Sequence, residues 1–107
     1  MQMFIRLCKV DDVKENEPIA VSAEGFPPLA AYNVSGEYFV TDDNCTHGNG
    51  QLSEGFQEGS IIECPFHGGA FDIKTGAVKE FPCKIAVRSY PVSIDDGWIT
   101  IPSAIPN

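Results

Sequence analysis

The sequence predicts an all-β fold, a sandwich or barrel built from short strands. Segments rich in β-branched and aromatic residues recur at short spacing, and turn-forming residues separate them. The chain has 107 residues, of which 43% are apolar, and this is enough for one hydrophobic core. We therefore expect a single domain over residues 1–107.

The expected strands follow one another along the whole chain. They cover residues 4–8, 19–22, 29–34, 38–41, 61–64, 70–73, 85–90, 92–94 and 98–101. Ser35-Gly36 and Asp95-Asp96-Gly97 are predicted to close two hairpins, because glycine adopts the positive φ of tight turns. Lys74-Thr75-Gly76 is a further predicted turn. A short helix is left open over residues 11–17, where Pro18 would end it.

The middle of the chain differs in composition from these strands. Residues 45–69 hold six of the ten glycines and both histidines, interrupted by one strand-like stretch at 61–63. Glycine lets the backbone approach another group closely. The composition therefore predicts two glycine-rich loops that pack against something.

The charge of the chain limits its partners. Fifteen acidic residues against seven basic ones give a net charge of −8. This charge repels nucleic acid and anionic membranes, and it suits partners with basic patches. The first six residues lack the pattern of a secretory signal, and no apolar run approaches the roughly 18 residues of a membrane span. We expect a soluble, cytoplasmic monomer that binds neither nucleic acid nor membrane.

Two short motifs in the loops carry the chemistry. They are Cys45-Thr46-His47 and, nineteen positions after Cys45, Cys64-Pro65-Phe66-His67. Taken singly, a cysteine or histidine is usually structural, but four such residues in two loops favour metal binding. Thiolate is a soft ligand and imidazole a borderline one, so two of each suit a pair of tetrahedral metal centres bridged by sulfide. A zinc site is the alternative, although zinc ligands are more often paired as C-x2-4-C and H-x3-5-H.

The same motifs resemble the Rieske signature, C-x-H followed by C-x-x-H with sixteen residues between them. The chain is most similar to the stand-alone Rieske ferredoxins of bacterial aromatic-ring dioxygenase systems. The resemblance implies an antiparallel Rieske-type β-sandwich or barrel, with a cluster-binding subdomain of two Gly-rich loops over about residues 43–83. It also implies a 2Fe-2S cluster, with Cys45 and Cys64 on one iron and His47 and His67 on the other.

The resemblance further implies an electron carrier rather than an enzyme. Its partners would be an FAD-containing ferredoxin reductase and a terminal Rieske oxygenase of aromatic hydrocarbon catabolism. A carrier for another oxidoreductase system and a zinc-stabilised binding module are alternatives. The chain has no further histidines for an oxygenase iron site. A subunit of a quinol-oxidising membrane complex is disfavoured. We expect no membrane anchor in this chain, and the hydroxyl and disulfide residues of such subunits are missing from it.

High-potential relatives place hydroxyl groups and a disulfide near the cluster. In this sequence Gly69 and Phe71 stand at the hydroxyl positions, and Gly50 and Phe66 stand at the disulfide positions. Hydrogen bonds to the sulfur atoms tune the reduction potential. We therefore expect a potential near the low end of the range of about −150 to +300 mV for Rieske centres.

Apolar residues near the motifs predict a contact surface. Leu52, Pro65, Phe66, Phe81 and Pro82 are expected to form an apolar collar at a tip that is ringed by acids. A small apolar tip with surrounding charge suits fast, reversible docking. The two remaining cysteines, Cys8 and Cys83, are expected to be structural.

Overall fold

The computed structural model describes residues 3–46, 48, 50–66, 68–81 and 84–105. In this part of the chain the regular structure is almost entirely β-strand, as predicted. The strands are β1 (Phe4–Lys9), β2 (Ile19–Val21), β3 (Leu29–Val34), β4 (Glu37–Asp42), β5 (Phe56–Glu58), β6 (Ile61–Glu63), β7 (Ala70–Asp72), β8 (Val78–Glu80), β9 (Ser89–Tyr90), β10 (Ser93–Asp95) and β11 (Trp98–Pro102). Two 3-10 turns lie at Val10–Asp12 and Leu52–Glu54. None of the described helical segments has the length and apolar character needed to cross a membrane.

The strands form three antiparallel sheets. Their orders are β1-β11-β10, β2-β3-β4-β9 and β5-β6-β7-β8. The third sheet is inserted in the chain between β4 and β9, so it lies within the predicted cluster-binding region of about residues 43–83. The all-β antiparallel fold is therefore confirmed, while a single domain over residues 1–107 stays a prediction.

Both predicted hairpins are present. Ser35 and Gly36 have φ of 52° and 89°, and Asp96 and Gly97 have φ of 51° and 78°. Asp95 pairs with Trp98, so the second hairpin loop has two residues instead of the three proposed. The third turn is also present, because the N–H of Gly76, at φ 82°, donates to the carbonyl of Asp72 at 2.7 Å.

The predicted strand boundaries were wrong in three places. The strands β5 and β8 were missed, because Phe-Gln-Glu and Val-Lys-Glu are short and half polar. The predicted strand 85–90 is a strand only at Ser89–Tyr90. Before it the backbone N–H of Val87 donates to the carbonyl of Gly76 at 2.9 Å, which is a turn and not a strand neighbour. The helix left open over 11–17 is limited to the 3-10 turn Val10–Asp12.

The buried side chains form two core groups. The first contains Cys45 and Cys64 together with Ala30, Tyr32, Val34, Leu52, Ile62, Phe71, Ile73 and Val87. The second contains Cys8, Val13, Leu29, Ala31, Val40, Tyr90, Ile99 and Ile101. Cys8 is buried in β1, and this burial, followed by the nearby charge of Asp12, raises its pKa to about 11. Cys8 is therefore an inert core residue, as the sequence predicted.

Replacing Ile99 tests the second core group. Ile99 is fully buried, so Ile99→Ala is expected to lower the free energy of unfolding by about 2–5 kcal/mol. Ile94 on the neighbouring strand is 50% exposed, and Ile94→Ala is expected to change that free energy by roughly 0.5 kcal/mol or less. Urea unfolding of both variants measures the difference. Equal effects would contradict the assignment of Ile99 to the core.

Candidate metal centre

Two loops with matching backbone geometry carry the motif cysteines. The first loop, residues 43–51, follows β4, and the second loop, residues 64–69, follows β6. The N–H of Cys45 donates to the carbonyl of Gly50 at 2.9 Å, and the N–H of Cys64 donates to the carbonyl of Gly69 at 2.7 Å. Each bond spans five positions, so the two cysteines begin equivalent turns. This equivalence was not predicted, although a glycine stands five positions after each cysteine in the sequence.

Asp43 holds the first loop against the rest of the chain. Its carboxylate accepts the backbone N–H of Ser53 at 2.7 Å and the Ser53 hydroxyl at 3.0 Å. Its carbonyl accepts the N–H of Leu52 at 2.7 Å. Asp43 is only 1% exposed, so water does not reach its carboxylate. The hydrogen bonds from Ser53 satisfy the buried group instead. The first loop is thus closed at its base by a buried anionic group.

The side chains of Cys45 and Cys64 meet beneath the two loops. They are only 4% and 3% exposed, and their thiols hydrogen-bond to each other. Burial raises the pKa of Cys64; the backbone N–H of Phe66 acts in the opposite direction, and the neighbouring thiol raises it further. Two buried thiolates side by side would repel, so this pair calls for a cation between or beside them.

The thiol pair fits a shared metal ion. Two sulfur ligands of one tetrahedral ion lie about 3.8 Å apart when each metal–sulfur bond is about 2.3 Å. The hydrogen bond between the thiols of Cys45 and Cys64 shows that both side chains point to one place, as a shared ion requires. The donor set of two soft sulfur atoms suits iron–sulfide chemistry as well as zinc. Of the four predicted ligands, the two that are described, Cys45 and Cys64, are therefore placed so that they could bind one metal ion.

Gly50 is required for the close approach of the two loops. A Cβ atom at this position would lie 2.6 Å from Sγ of Cys64 and 3.1 Å from Cδ2 of Phe66. The backbone of the first loop therefore rests directly on the second loop, as the glycine content predicted. Gly50 and Phe66 are the two positions at which high-potential relatives were expected to hold a disulfide, and here a ring packs on a glycine instead.

Apolar side chains are exposed around the loops. Phe66, Phe81 and Ile85 are 55%, 75% and 66% exposed, and we call these three residues the tip. Pro65 is half-buried, as a collar residue could be, but Leu52 is fully buried in the core and does not contribute to the predicted collar. The rings of Phe66 and Phe81 are more than half exposed, so they offer an apolar surface to solvent.

A third segment, residues 84–88, is fastened beside the first loop. The hydroxyl of Thr46, next to Cys45, donates to the carbonyl of Ile85 at 2.6 Å. The N–H of Asp42 donates to the carbonyl of Arg88 at 2.9 Å. The Tyr90 hydroxyl donates to the carboxylate of Asp42 at 2.5 Å. The segment is therefore held by single hydrogen bonds rather than by a strand ladder.

Four predicted positions lie outside the described residues. They are the proposed ligands His47 and His67, the collar residue Pro82 and the cysteine Cys83. The positions that distinguish this chain from high-potential relatives are described. Phe71 is fully buried, and the carbonyl of Gly69 is bound to Cys64. Neither residue has a side-chain hydroxyl to offer to the sulfur atoms, and the low potential stays a prediction.

Comparison with known proteins identifies the family. The chain matches the Rieske [2Fe-2S] domain over residues 3–91. The ferredoxin component of the p-cumate 2,3-dioxygenase system of Pseudomonas putida is 44% identical over 99 residues, covering 92% of this chain and 84% of the relative. The chain therefore belongs to the Rieske [2Fe-2S] domain family, and its cofactor is a Rieske-type 2Fe-2S cluster.

Solved structures agree with this family, and several of the similar ones are ferredoxins. A ferredoxin of Sphingomonas yanoikuyae B1 has a TM-score of 0.94 and 59% identity, covering 95% of this chain and 100% of that chain. A chain in the complex of reduced oxygenase and oxidised ferredoxin of carbazole 1,9a-dioxygenase has a TM-score of 0.90 and 34% identity, covering 100% of this chain and 99% of that chain. The relatives are named as ferredoxin components, which transfer electrons and are not the catalytic subunits.

Gly50→Ala tests the contact between the loops. The added methyl group would push Sγ of Cys64, and overpacking of this kind costs about 1–3 kcal/mol. We expect less iron and acid-labile sulfide per chain than in the unaltered protein. Gly48 in the same loop has open space around its missing Cβ, so Gly48→Ala is the matched control and is expected to keep its iron and sulfide. Full occupancy in Gly50→Ala would contradict the close approach.

Asp43→Ala tests the base of the first loop. The change removes both bonds to Ser53, and we expect a loss of about 1.5–3 kcal/mol in the free energy of unfolding. Ser53→Ala removes only the hydroxyl bond and keeps the bond from the backbone N–H, so its effect should be smaller. Urea unfolding of both variants measures the order. A larger loss in Ser53→Ala would show that Asp43 does not hold the loop.

Proposed function

We propose that this protein is a soluble one-electron carrier that takes electrons from an FAD-containing ferredoxin reductase and passes them to a terminal Rieske oxygenase. The observation that carries this proposal is the pair of buried thiols of Cys45 and Cys64, which meet beneath an exposed apolar tip. A buried redox site directly under a small contact surface suits transfer between proteins. The family match and the ferredoxin relatives support the same function.

The proposed ligands are Cys45 and Cys64 for one iron and His47 and His67 for the other. The contact between the two thiols supports a shared iron, and each histidine follows a cysteine in the same loop of the sequence. When bound, the 2Fe-2S cluster supplies a reversible one-electron couple. The chain's own residues determine where that couple is placed and which surface covers it.

The described residues have separate tasks in this proposal. Leu52 and Phe71 are fully buried beside the thiols and exclude water from below. Gly50 allows the loops to close, and Asp43 fixes the first loop at its base. The exposed rings of Phe66 and Phe81 displace water when a partner covers the tip. A small contact of this kind dissociates readily, which a carrier that serves two partners needs.

The relatives support the choice of partners. One matched chain was solved in a complex with the oxygenase of carbazole 1,9a-dioxygenase, and the relative from Pseudomonas putida belongs to a p-cumate 2,3-dioxygenase system. By analogy we propose an oxygenase of this class as the electron acceptor and a flavin reductase as the donor. We also propose that the carrier is a cytoplasmic monomer with one domain over residues 1–107.

Spectroscopy of the reduced protein tests the function and the ligands together. We expect uptake of one electron per chain, a midpoint potential below zero, and an electron paramagnetic resonance signal whose average g lies below that of all-cysteine ferredoxins. His47→Ala and His67→Ala are each expected to lose visible absorption and acid-labile sulfide, because an iron ligand is removed. Lys79→Ala, at an exposed position of β8, is the control and should retain both. A colourless protein with bound zinc and no sulfide would contradict the carrier function.

A further inference from the structure

The outer face of the β5-β8 sheet is exposed beside the tip. Side chains alternate along a strand, so Gln57, Ile62 and Phe71 face the core and their neighbours face outward. A shallow groove on the outer face is lined by Phe56, Glu58, Ile61, Glu63, Ala70 and Glu80, together with part of Gln57. We call the six outward-facing residues the acidic flank.

One row of the acidic flank runs across all four strands at the end that carries the second loop. Phe56 pairs with Glu63, Glu63 pairs with Ala70, and Ala70 pairs with Glu80. Glu63 directly precedes Cys64, which places this row next to the thiol pair. Phe56 is 69% exposed, and Glu63 and Glu80 are exposed on either side of Ala70. The row therefore combines an aromatic ring with two carboxylates beside the predicted redox site.

The carboxylates of this face form no ion pair within the described part of the chain. There the only side-chain ion pair joins Arg6 to Asp95 on a different sheet. No lysine or arginine is among the described residues that line the groove. Glu58 and Glu63 carry like charges at diagonal positions of the neighbouring strands β5 and β6, and the exposed ring of Phe56 adds an apolar surface in water. A basic partner with an apolar pocket would relieve both costs.

The segment 84–88, which contains the tip residue Ile85, carries basic residues. Val87 is buried with Ile62 and Phe71, so the segment 84–88 lies on the inner side of the β5-β8 sheet. Lys84 and Arg88 are exposed on this segment, and Nζ of Lys84 lies 5.7 Å from the ring centroid of Phe81. Basic side chains thus lie beside the tip as well as the acids of the flank, and a complete ring of acids around the tip stays a prediction.

We propose that the acidic flank is a docking surface for the lysine- and arginine-rich face of a redox partner protein. This proposal rests on the proposed carrier function and names the chemistry of the partner. A partner whose basic groups lie on the flank places its own apolar surface on Phe56 and its redox centre over the tip. Rotation by half a turn would bring those basic groups against Lys84 and Arg88, and like charges would oppose it. The asymmetry selects one orientation and speeds association.

Electron transfer to a basic acceptor tests the docking surface. The probe is cytochrome c, a basic haem protein, and each encounter moves one electron from the reduced ferredoxin to the ferric haem, with no bond formed or broken. In Glu63→Gln/Glu80→Gln we expect the second-order rate constant in 20 mM salt to fall roughly three- to tenfold. The difference should disappear in 0.5 M salt, because screening removes steering between exposed charges. Glu63 adjoins the predicted ligand Cys64, whereas Glu80 is remote from the ligands in sequence. Glu80→Gln alone should therefore lower the rate constant by part of this amount without altering a ligand's neighbour.

A matched pair of substitutions separates the flank from net charge. Glu37→Gln/Asp96→Asn removes the same two charges from exposed positions at the hairpin turns, and Glu37 lies at the end of β4 opposite the first loop. This pair should change the low-salt rate constant less than about twofold. Lys84→Gln should leave the rate constant unchanged or raise it. The midpoint potential of every variant is measured, so that a changed driving force is recognised and corrected for.

Two outcomes would overturn the proposal. One is an equal decrease in the flank pair and the turn pair, which would mean that only net charge steers the acceptor. The other is an unchanged rate constant in the flank pair. Neither outcome would affect the proposed carrier function, since reduced protein would still pass electrons to the haem. Loss of the carrier function itself would appear as a protein that takes up no electron before cytochrome c is added.

Discussion

Two thiols must meet in a dry interior although their cysteines are nineteen positions apart, and the rest of this structure follows from that requirement. For the two thiols to meet, the chain must reverse direction twice, once in each loop, and the two loops must face each other. Both reversals use the same bond from a cysteine N–H to a glycine carbonyl. The strands β4 and β6 bring the two reversals to the same side of the core. The inserted sheet therefore serves chiefly as a rigid base for the second loop.

The same requirement makes the cofactor part of the fold. Buried thiols resist ionisation: burial raises the pKa of Cys64, and the neighbouring thiol of Cys45 raises it further. A metal ion reverses this preference, because it binds thiolate and supplies the missing positive charge. Among the described residues of the two loops, the buried apolar side chains are those of Cys45 and Cys64, and Leu52 directly follows the first loop. Their geometry thus depends on hydrogen bonds at the base and on the bound group at the centre.

Charge is distributed unevenly around the redox site, and this bears on how a carrier distinguishes its partners. A net charge of −8 attracts basic proteins from any direction, but it does not define an orientation. Orientation requires a difference between the two sides of the contact surface. The outer face of the β5-β8 sheet and the segment 84–88 provide that difference, since they lie on opposite sides of one sheet. An exposed aromatic residue on the acidic side adds a contact that salt does not screen.

Much of this protein could be predicted from the sequence, since local chemistry leaves local signals. Glycine at positive φ marked both hairpins, strand-forming residues marked β1 to β4, and the spacing of cysteine and histidine marked the metal centre. Tertiary structure alone decided three further features. Leu52 was predicted in the apolar collar but is fully buried in the core, and the predicted strand 85–90 is a strand only at Ser89–Tyr90. The pairing that brings Phe56, Glu63 and Glu80 into one row is the third feature. The burial of a residue, its hydrogen-bond partners and the side on which its charge lies all depend on which distant segments pack together. A single sequence does not record these long-range contacts directly.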